Sequence, residues 1–188
     1  GDRPGVAPAK LEVLRELHAH FQAAGSTRDP AHALAFDRFR AAHDAWLRPL
    51  TLFSAWRALR TDPLPPIDDP RVTDFAAREA GEIGFHAWLQ WEADRQLGEV
   101  AAHARTMGLP LGLYRDLAVG VSDDSAEVWA RPAWHARGMS AGAPDEAANP
   151  SGQSWGLSPP LPDRWADEGY EPFAAVLRAN MRHAGALR

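Results

Sequence analysis

The chain has 188 residues, of which 45% are hydrophobic and 24% are charged, and its formal net charge is −5; this is typical of a globular domain and offers no basic footprint for nucleic acid. The absence of cysteine excludes disulfides, zinc–thiolate sites and a cysteine nucleophile. No apolar run approaches the ~20 residues that cross a bilayer, and the first residues do not resemble a signal peptide, so we expect a cytoplasmic protein that binds neither membrane nor nucleic acid.

The first third of the sequence predicts helices. Apolar residues at steps of three and four predict a helix from Pro8 to Ala24. Asp29 and Pro30 then supply a cap and a first helical residue, and the second helix is expected to bend or break at Pro49. A short helical piece follows at residues 52–59, and a proline-rich linker at residues 61–66 ends this region.

Two further helices are predicted, over residues 70–80 and 83–107, the first capped by Asp69. The apolar stripe of the second comprises Phe85, Leu89, Ala93, Leu97, Val100, Ala104 and Met107. Trp88 and Trp91 lie off this stripe, and we expect them to pack against the preceding helices.

Residues 111–121 form a short apolar run after this helix and predict a strand, with Arg115 on its more apolar face. Residues 131–162 hold six prolines and four glycines without a period, and a structureless segment this long indicates either a functional loop or a mistaken assignment of its elements. Helices are predicted near residues 163–168 and 172–183, and residues 184–188 look like the opening of another strand.

Carboxylates cluster around the predicted strand. Asp116 lies within it, and Asp123, Asp124 and Glu127 follow its carboxyl end, where sites assemble in α/β folds. Asp116 needs a partner in so apolar a setting. The alternative for the other three is structural, namely an Asx turn and cap for a helix that begins near Ser125.

The sequence gives no sign of a metal or an organic cofactor. Among the eight histidines, none has the spacing with a partner histidine and a glutamate that a helical zinc site needs. The glycines at positions 142, 152 and 156 do not follow a strand, so they form neither a dinucleotide fingerprint nor a phosphate loop.

Trp155 is the aromatic residue best suited to a ligand. It lies in a predicted loop beside Gln153 and between Gly152 and Gly156. A flat apolar ring beside an amide suits a pyranose, whose C–H face packs on aromatic rings while its hydroxyls form hydrogen bonds. A loop plug over the core would have the same sequence, but its ring would be buried.

Several motifs occur together, in order, from about Phe85 to the end. They are Leu89-Gln90-Trp91 with Gln96-Leu97, Gly112–Val121, Ala126–Trp129, Gly142-Ala143-Pro144, Gly152–Gly156 and Arg178–Arg188. In this combination the sequence resembles the amylomaltases, which are 4-alpha-glucanotransferases also called disproportionating enzymes. One departure is Pro144-Asp145-Glu146, where the family usually has Pro-Pro-Asp, so the acid of this loop is shifted.

The resemblance implies an α/β fold, a (β/α)8 TIM barrel with helical insertions, of which this chain is a predominantly α-helical part. Residues 1–68 would be a helical insertion and residues 69–188 part of the catalytic barrel, with 131–162 as a long active-site loop. The implied reaction transfers α-1,4-glucan segments between maltooligosaccharides by retaining double displacement, with no cofactor. The alternative is a non-catalytic helical carbohydrate-binding or interaction module.

The resemblance also implies roles for individual residues. Asp116 and Asp124 would face the donor site, and Gln153 and Trp155 would lie over the acceptor side. Arg188 matches the arginine two positions before the nucleophilic aspartate, where it would keep that carboxylate ionised. Since the nucleophile and the acid/base glutamate would follow Arg188, we expect the 188 residues alone to be inactive.

Overall fold

The computed structural model describes residues 3–25, 30–147 and 149–188. They belong to two compact units, one of Gly1–Asp62 with Thr73–Ala93 and one of Pro63–Val72 with Asp94–Arg188. The helices are α1 (Arg3–Gly25), α2 (Pro30–Leu59), α3 (Pro70–Arg78), α4 (Ala80–Thr106), α5 (Ala126–Ala130), α6 (Pro162–Asp167) and α7 (Glu171–Met181), with a 3-10 turn at Pro132–Trp134. The strands are β1 (Tyr114–Arg115), β2 (Val121–Ser122), β3 (Ala141–Ala143), β4 (Gln153–Ser158) and β5 (Ala186–Leu187).

The first unit is a helical body with an aromatic core. Its buried cluster comprises Phe36, Phe39, Leu47, Phe85, Ala87, Trp88 and Trp91, with Leu14, Phe21 and Leu89 packed against it. The centroid of the Trp91 ring lies 5.4 Å from that of Phe36 and 5.6 Å from that of Phe21, which confirms that the tryptophans of α4 pack on the preceding helices. Aromatic rings dominate such contacts because each buries 150–250 Å².

The apolar stripe predicted for α4 is only partly buried. Phe85 and Ala104 are buried, whereas Val100 is 54% exposed and Met107, which is 70% exposed, follows the end of the helix. Trp88 and Trp91, which lie off the stripe, are buried because their large rings remove much apolar area from water.

α2 runs through Pro49 as a single helix, so it does not break there, and the predicted alternative of a bend at Pro49 stays a prediction. A proline in a helix interior costs about 3 kcal/mol. Leu47 and Leu52 are buried on either side of it, and Trp56 is buried one turn further on. Burying side chains of this size contributes about 1.5–3 kcal/mol each, which outweighs the lost hydrogen bond and holds the helix together.

The linker and the cap after it are confirmed. Residues 60–69 contain no helix, and α3 begins at Pro70. The carboxylate of Asp69 accepts a hydrogen bond from the backbone N–H of Arg71 at 2.8 Å. Hydrogen bonds from the Arg71 side chain and backbone lower the pKa of Asp69 to about 2. The predicted cap at Asp29 lies outside the described residues.

The second unit contains two small sheets. β1 and β5 pair in parallel, with Tyr114 opposite Ala186, and β2, β4 and β3 form an antiparallel sheet in that order. The strand expected at the end of the chain is therefore confirmed, as β5. The assignment of residues 1–68 to an insertion and 69–188 to a barrel stays a prediction.

The single strand predicted over residues 111–121 is wrong, because its two ends belong to different sheets. Only Tyr114 and Arg115 pair with β5, and Val121 already begins β2. Residues 131–162 are not a structureless loop either, since they include β3 and β4. Short strands rich in glycine, alanine and serine have no apolar alternation by which sequence analysis could find them.

In the part of the chain that the structure describes, no helix has both the length and the apolar character needed to cross a membrane.

A charged cluster joins α1 to α4 within the first unit. Both terminal nitrogens of Arg15 donate to the carboxylate of Glu82, each at 2.6 Å. The Nε2 atom of His86 lies 3.2 Å from Glu82 Oε1, and the buried ring of His18 packs on Phe85. Burial lowers the pKa of both histidines, and the hydrogen bonds from Arg15 lower the pKa of Glu82.

These pKa shifts predict that acid weakens the first unit. Groups whose pKa is lowered by folding stabilise the protein above their ordinary values, and that stabilisation is lost as the pH falls through the lowered pKa values. For His18 and His86 the loss begins near pH 6.5, the ordinary histidine value. We expect the urea midpoint and the hydrogen-exchange protection of α1 to be lower at pH 5 than at pH 7.5.

The variant His18→Phe keeps an aromatic ring on Phe85 but cannot take up a proton, so it should reduce this pH dependence. The control is His20→Phe, on the same helix but exposed to solvent. An equal pH dependence in both variants would contradict the assignment.

Candidate active site

Two charged side chains meet at one edge of the parallel pair. Asp116 follows β1 and Arg188 follows β5, and the carboxyl ends of parallel strands lie at the same edge of a sheet. The Nη2 atom of Arg188 donates to Asp116 Oδ2 at 2.7 Å. Their side chains are 72% and 64% exposed, so this pair faces solvent rather than the core.

The backbone around this pair is tightly hydrogen-bonded. The N–H of Arg188 donates to the carbonyl of Arg115, and the N–H of Leu117 donates to the carbonyl of Arg188, both at 2.9 Å. The side chain of Arg115, placed by sequence on the more apolar face, donates from Nη1 to the carbonyl of Asn180 at 3.1 Å. A charge on that face is therefore satisfied by the end of α7.

A cavity of about 230 Å³ opens beside Asp116. Its walls are Asp116, Leu117, Ala118, Val119, Gly120, Val121, Glu127, His135, Ser158, Pro160, Trp165, Phe173, Val176 and Asn180. Trp165 and Phe173 stack with ring centroids 5.8 Å apart and form an apolar part of the wall. The carboxylates of Asp116 and Glu127 and the amide of Asn180 supply polar groups. Such mixed walls are typical of small-molecule sites.

His135 is a buried polar residue of this cavity. Its side chain is 3% exposed, and its Nε2 atom lies 3.5 Å from Glu127 Oε1. Sequence analysis did not single out His135, because its neighbours in the cavity come from segments far apart along the chain. No spacing rule along the sequence would have found it.

Within the acidic cluster at residues 123–127, the structure gives Asp123 a structural role. Ser125, rather than either aspartate, caps α5 by accepting from the N–H of Val128. Asp123 accepts from the N–H of Gly138 at 3.0 Å. That bond, with one from Ser158, holds the pKa of Asp123 below its usual value, so this carboxylate clamps two loops together. Asp124 is exposed in the same turn.

The predicted ligand-facing pair lies on β4. The indole N–H of Trp155 donates to Gln153 Oε1 at 2.8 Å, and the ring is 45% exposed. A core plug would be buried, so the exposure fits the binding role. Gly152 and Gly156 have φ values of +64° and +67°, which glycine adopts without strain.

The site residues predicted from sequence therefore fall into two groups. Asp116 and Arg188 form an ion pair, and Asp116 also lines the cavity. Among the described residues, Asp124, Gln153 and Trp155 are not part of that cavity wall. The prediction that Asp116 and Trp155 face one common cleft stays a prediction.

Within the described ranges, no group of three or more histidine, aspartate or glutamate side chains is arranged to hold a metal ion.

β3 and β4 approach each other unusually closely at Gly142. A Cβ atom at this position would lie 1.9 Å from the carbonyl oxygen of Gln153, which is far inside contact distance. The register also shifts here, between Ala141 and Gly142. The absence of a side chain at Gly142 is therefore what allows β4 to hold Gln153 and Trp155 in place.

Comparison with known proteins identifies the relatives of this chain. A family model described as 4-alpha-glucanotransferase matches residues 2–188. The 4-alpha-glucanotransferase of Mycobacterium tuberculosis is 36% identical over 197 residues, covering 100% of this chain and 26% of that protein. The chain thus spans about a quarter of the length of this curated relative.

Two solved structures share the fold. The crystal structure of amylomaltase from Corynebacterium glutamicum has a TM-score of 0.77 and 30% identity, over 96% of this chain and 24% of that one. Amylomaltase from Streptococcus agalactiae, solved in complex with acarbose, has a TM-score of 0.84 at 18% identity, over 100% of this chain and 39% of that one. The predicted fold class, a mainly helical part of an α/β barrel, is confirmed.

The close approach at Gly142 makes a testable prediction. Gly142→Ala should separate β3 from β4, because the atom that it meets belongs to the backbone and cannot rotate away. We expect a loss of about 1–3 kcal/mol in the free energy of unfolding, as for other overpacked positions. Hydrogen exchange should show the loss in the amides of β4.

The matched control is Gly81→Ala, since nothing lies within 4 Å of a Cβ atom there. Unchanged protection of β4 in Gly142→Ala would contradict the analysis.

Proposed function

This chain belongs to the 4-alpha-glucanotransferase family, and we propose that the protein transfers α-1,4-glucan segments between maltooligosaccharides by retaining double displacement. In such a reaction one carboxylate attacks the anomeric carbon and a second acts first as acid and then as base. A sugar hydroxyl then takes the place of water in resolving the glycosyl–enzyme. Maltooligosaccharides as substrates and a cytoplasmic location are part of this proposal.

The observation that carries the proposal is the ion pair of Arg188 and Asp116 at the carboxyl edge of the parallel strands. This is the edge at which barrel enzymes assemble their sites. A guanidinium has five N–H donors, so Arg188 can hold Asp116 and a second carboxylate together. The nucleophilic carboxylate expected after Arg188 would lie beside this guanidinium, whose positive charge favours the ionised form that a nucleophile needs.

Trp155 and Gln153 are suited to the acceptor sugar. Since Gln153 Oε1 already accepts from the indole N–H, the ring offers its apolar face and the amide nitrogen keeps its donors for hydroxyl groups. A pyranose ring presents both kinds of surface at once. Asp124, exposed beyond β2, is proposed to act on the donor side together with Asp116.

The proposal predicts transfer activity that depends on Arg188. The full-length protein, incubated with maltotriose, should release glucose and form longer oligosaccharides, which chromatography resolves. Arg188→Ala should lower kcat about 100-fold or more, because it removes a fixed charge beside the reacting carboxylate. Its unfolding midpoint should change little, since an exposed ion pair contributes about 0–1 kcal/mol.

Arg188→Lys is the companion variant. It keeps the charge but not the planar fork, so its activity should lie between those of the other two proteins. Wild-type activity in Arg188→Ala would contradict the role of Arg188, and absence of transfer in the unaltered protein would contradict the proposed function.

Trp155 predicts a separate effect on acceptors. Trp155→Ala should raise the KM for acceptor sugars about 10-fold, because the sugar loses the apolar ring face on which its C–H groups would pack. The unfolding midpoint should hardly move, because the ring is 45% exposed. Trp155→Phe, which retains an aromatic face, is the control. Equal losses of acceptor binding and of stability would count against the binding role.

A further inference from the structure

A second charged cluster lies where α7 ends and β5 begins. Asp94, on α4, accepts from Nη2 of Arg182 at 2.5 Å, and its same oxygen lies 2.9 Å from Nε2 of His183. The side chains of Asp94 and His183 are 22% and 21% exposed. This cluster is thus a largely enclosed anchor that ties the turn after α7 to α4, and the site residues proposed above do not include it.

Gly98 fits this anchor closely. It lies one helical turn after Asp94, directly beneath the imidazole of His183. A Cβ atom at position 98 would lie 3.1 Å from His183 Cε1, so even a methyl group would press on the ring. The position of the imidazole is therefore fixed by two contacts with α4, one with the backbone at Gly98 and one with the carboxylate of Asp94.

The segment from His183 to Arg188 is short, and its backbone is closely packed against residues 111–113. Gly185 donates from its N–H to the carbonyl of Leu113 at 2.9 Å, and a Cβ atom there would lie 1.8 Å from the carbonyl oxygen of Leu111. Five residues after His183, the guanidinium of Arg188 reaches Asp116. Because only four residues separate them, we expect a displacement of His183 to shift Arg188 as well.

Backbone pairing begins directly after this anchor. The N–H of Gly185 donates to the carbonyl of Leu113, and Tyr114 then pairs with Ala186 and Arg115 with Leu187. The anchor on α4 precedes Gly185 by two residues, so the chain enters β5 directly from it.

We propose that Asp94 is a positioning residue for glucan transfer: through Arg182 and His183 it fixes the start of β5 and so places Arg188 against Asp116. The proposal rests on the proposed function, in which Arg188 serves the reacting carboxylate. Asp94 itself touches no reacting atom. Catalytic groups must be held within about 0.5 Å of their working geometry, so a contact that fixes the start of β5 bears on the reaction.

Gly98→Ala separates this role from a merely structural one. Alanine is the better residue for a helix interior, but its methyl group presses on His183, so the two effects on the unfolding midpoint oppose each other. A structural role predicts that kcat per folded molecule keeps the wild-type value. A positioning role predicts a kcat per folded molecule at least 5-fold lower, with a KM within 2-fold of the wild-type value. The matched control is Gly84→Ala on the same helix, where a Cβ atom meets nothing within 4 Å. An unchanged kcat in Gly98→Ala would overturn the proposal.

Variants of Asp94 supply the second measurement, in the full-length protein. Asp94→Ala should lower kcat about 10-fold, and Asp94→Asn, whose amide oxygen can still accept from Arg182 and His183, should restore most of it. Glu99→Ala, which removes the exposed partner of Arg95 from the same helix, should leave kcat unchanged. Activity lost only in proportion to folded protein, in both Gly98→Ala and Asp94→Ala, would overturn the proposal.

Failure of the proposed function has a different signature, because the unaltered protein would then transfer no glucan. The positional claim is tested in that case by a crystal structure of Gly98→Ala. The distance between Arg188 Nη2 and Asp116 Oδ2, which is 2.7 Å here, should lengthen by a few tenths of an ångström, because the His183 ring must give by about that much. An unchanged distance would overturn the claim regardless of activity.

Discussion

The parallel pairing of β1 with β5 is the contact on which the candidate site depends. It brings together two residues 72 positions apart, Asp116 and Arg188, and places both at one edge of the sheet. Parallel strands need a crossover connection, and here that crossover contains the antiparallel sheet as well as α7. The connection between β1 and β5 therefore carries the exposed Trp155, and the ion pair of Asp116 and Arg188 lies at its two ends.

Stability and chemistry are supplied by different parts of the molecule. Buried rings such as Trp88, Trp91 and Phe85 hold the first unit together. The ion pair of the second unit is exposed, and exposed ion pairs contribute little to folding. What such a pair offers instead is a fixed charge in water-accessible space, where a ligand can reach it.

Sequence analysis predicted most helices and the family, and it failed where distant contacts decide the outcome. Proline and glycine signals gave the start of α3 and the strand β5 because both are local. The helix does not break at Pro49 because burial of Leu47 and Leu52 outweighs a local preference. The run 111–121 misled it because apolar character cannot tell one strand from two. The cavity around His135 joins distant segments, so no local pattern encodes it.

The bond from Trp155 to Gln153 has a consequence for molecular recognition. Freezing a large rotatable group usually opposes complex formation, since each immobilised side chain costs about 0.5–1.5 kcal/mol. The hydrogen bond to Gln153 already restricts the rotamer of the indole in the folded protein. Binding of the proposed acceptor sugar would therefore cost less side-chain entropy, and the two residues would act as one recognition unit.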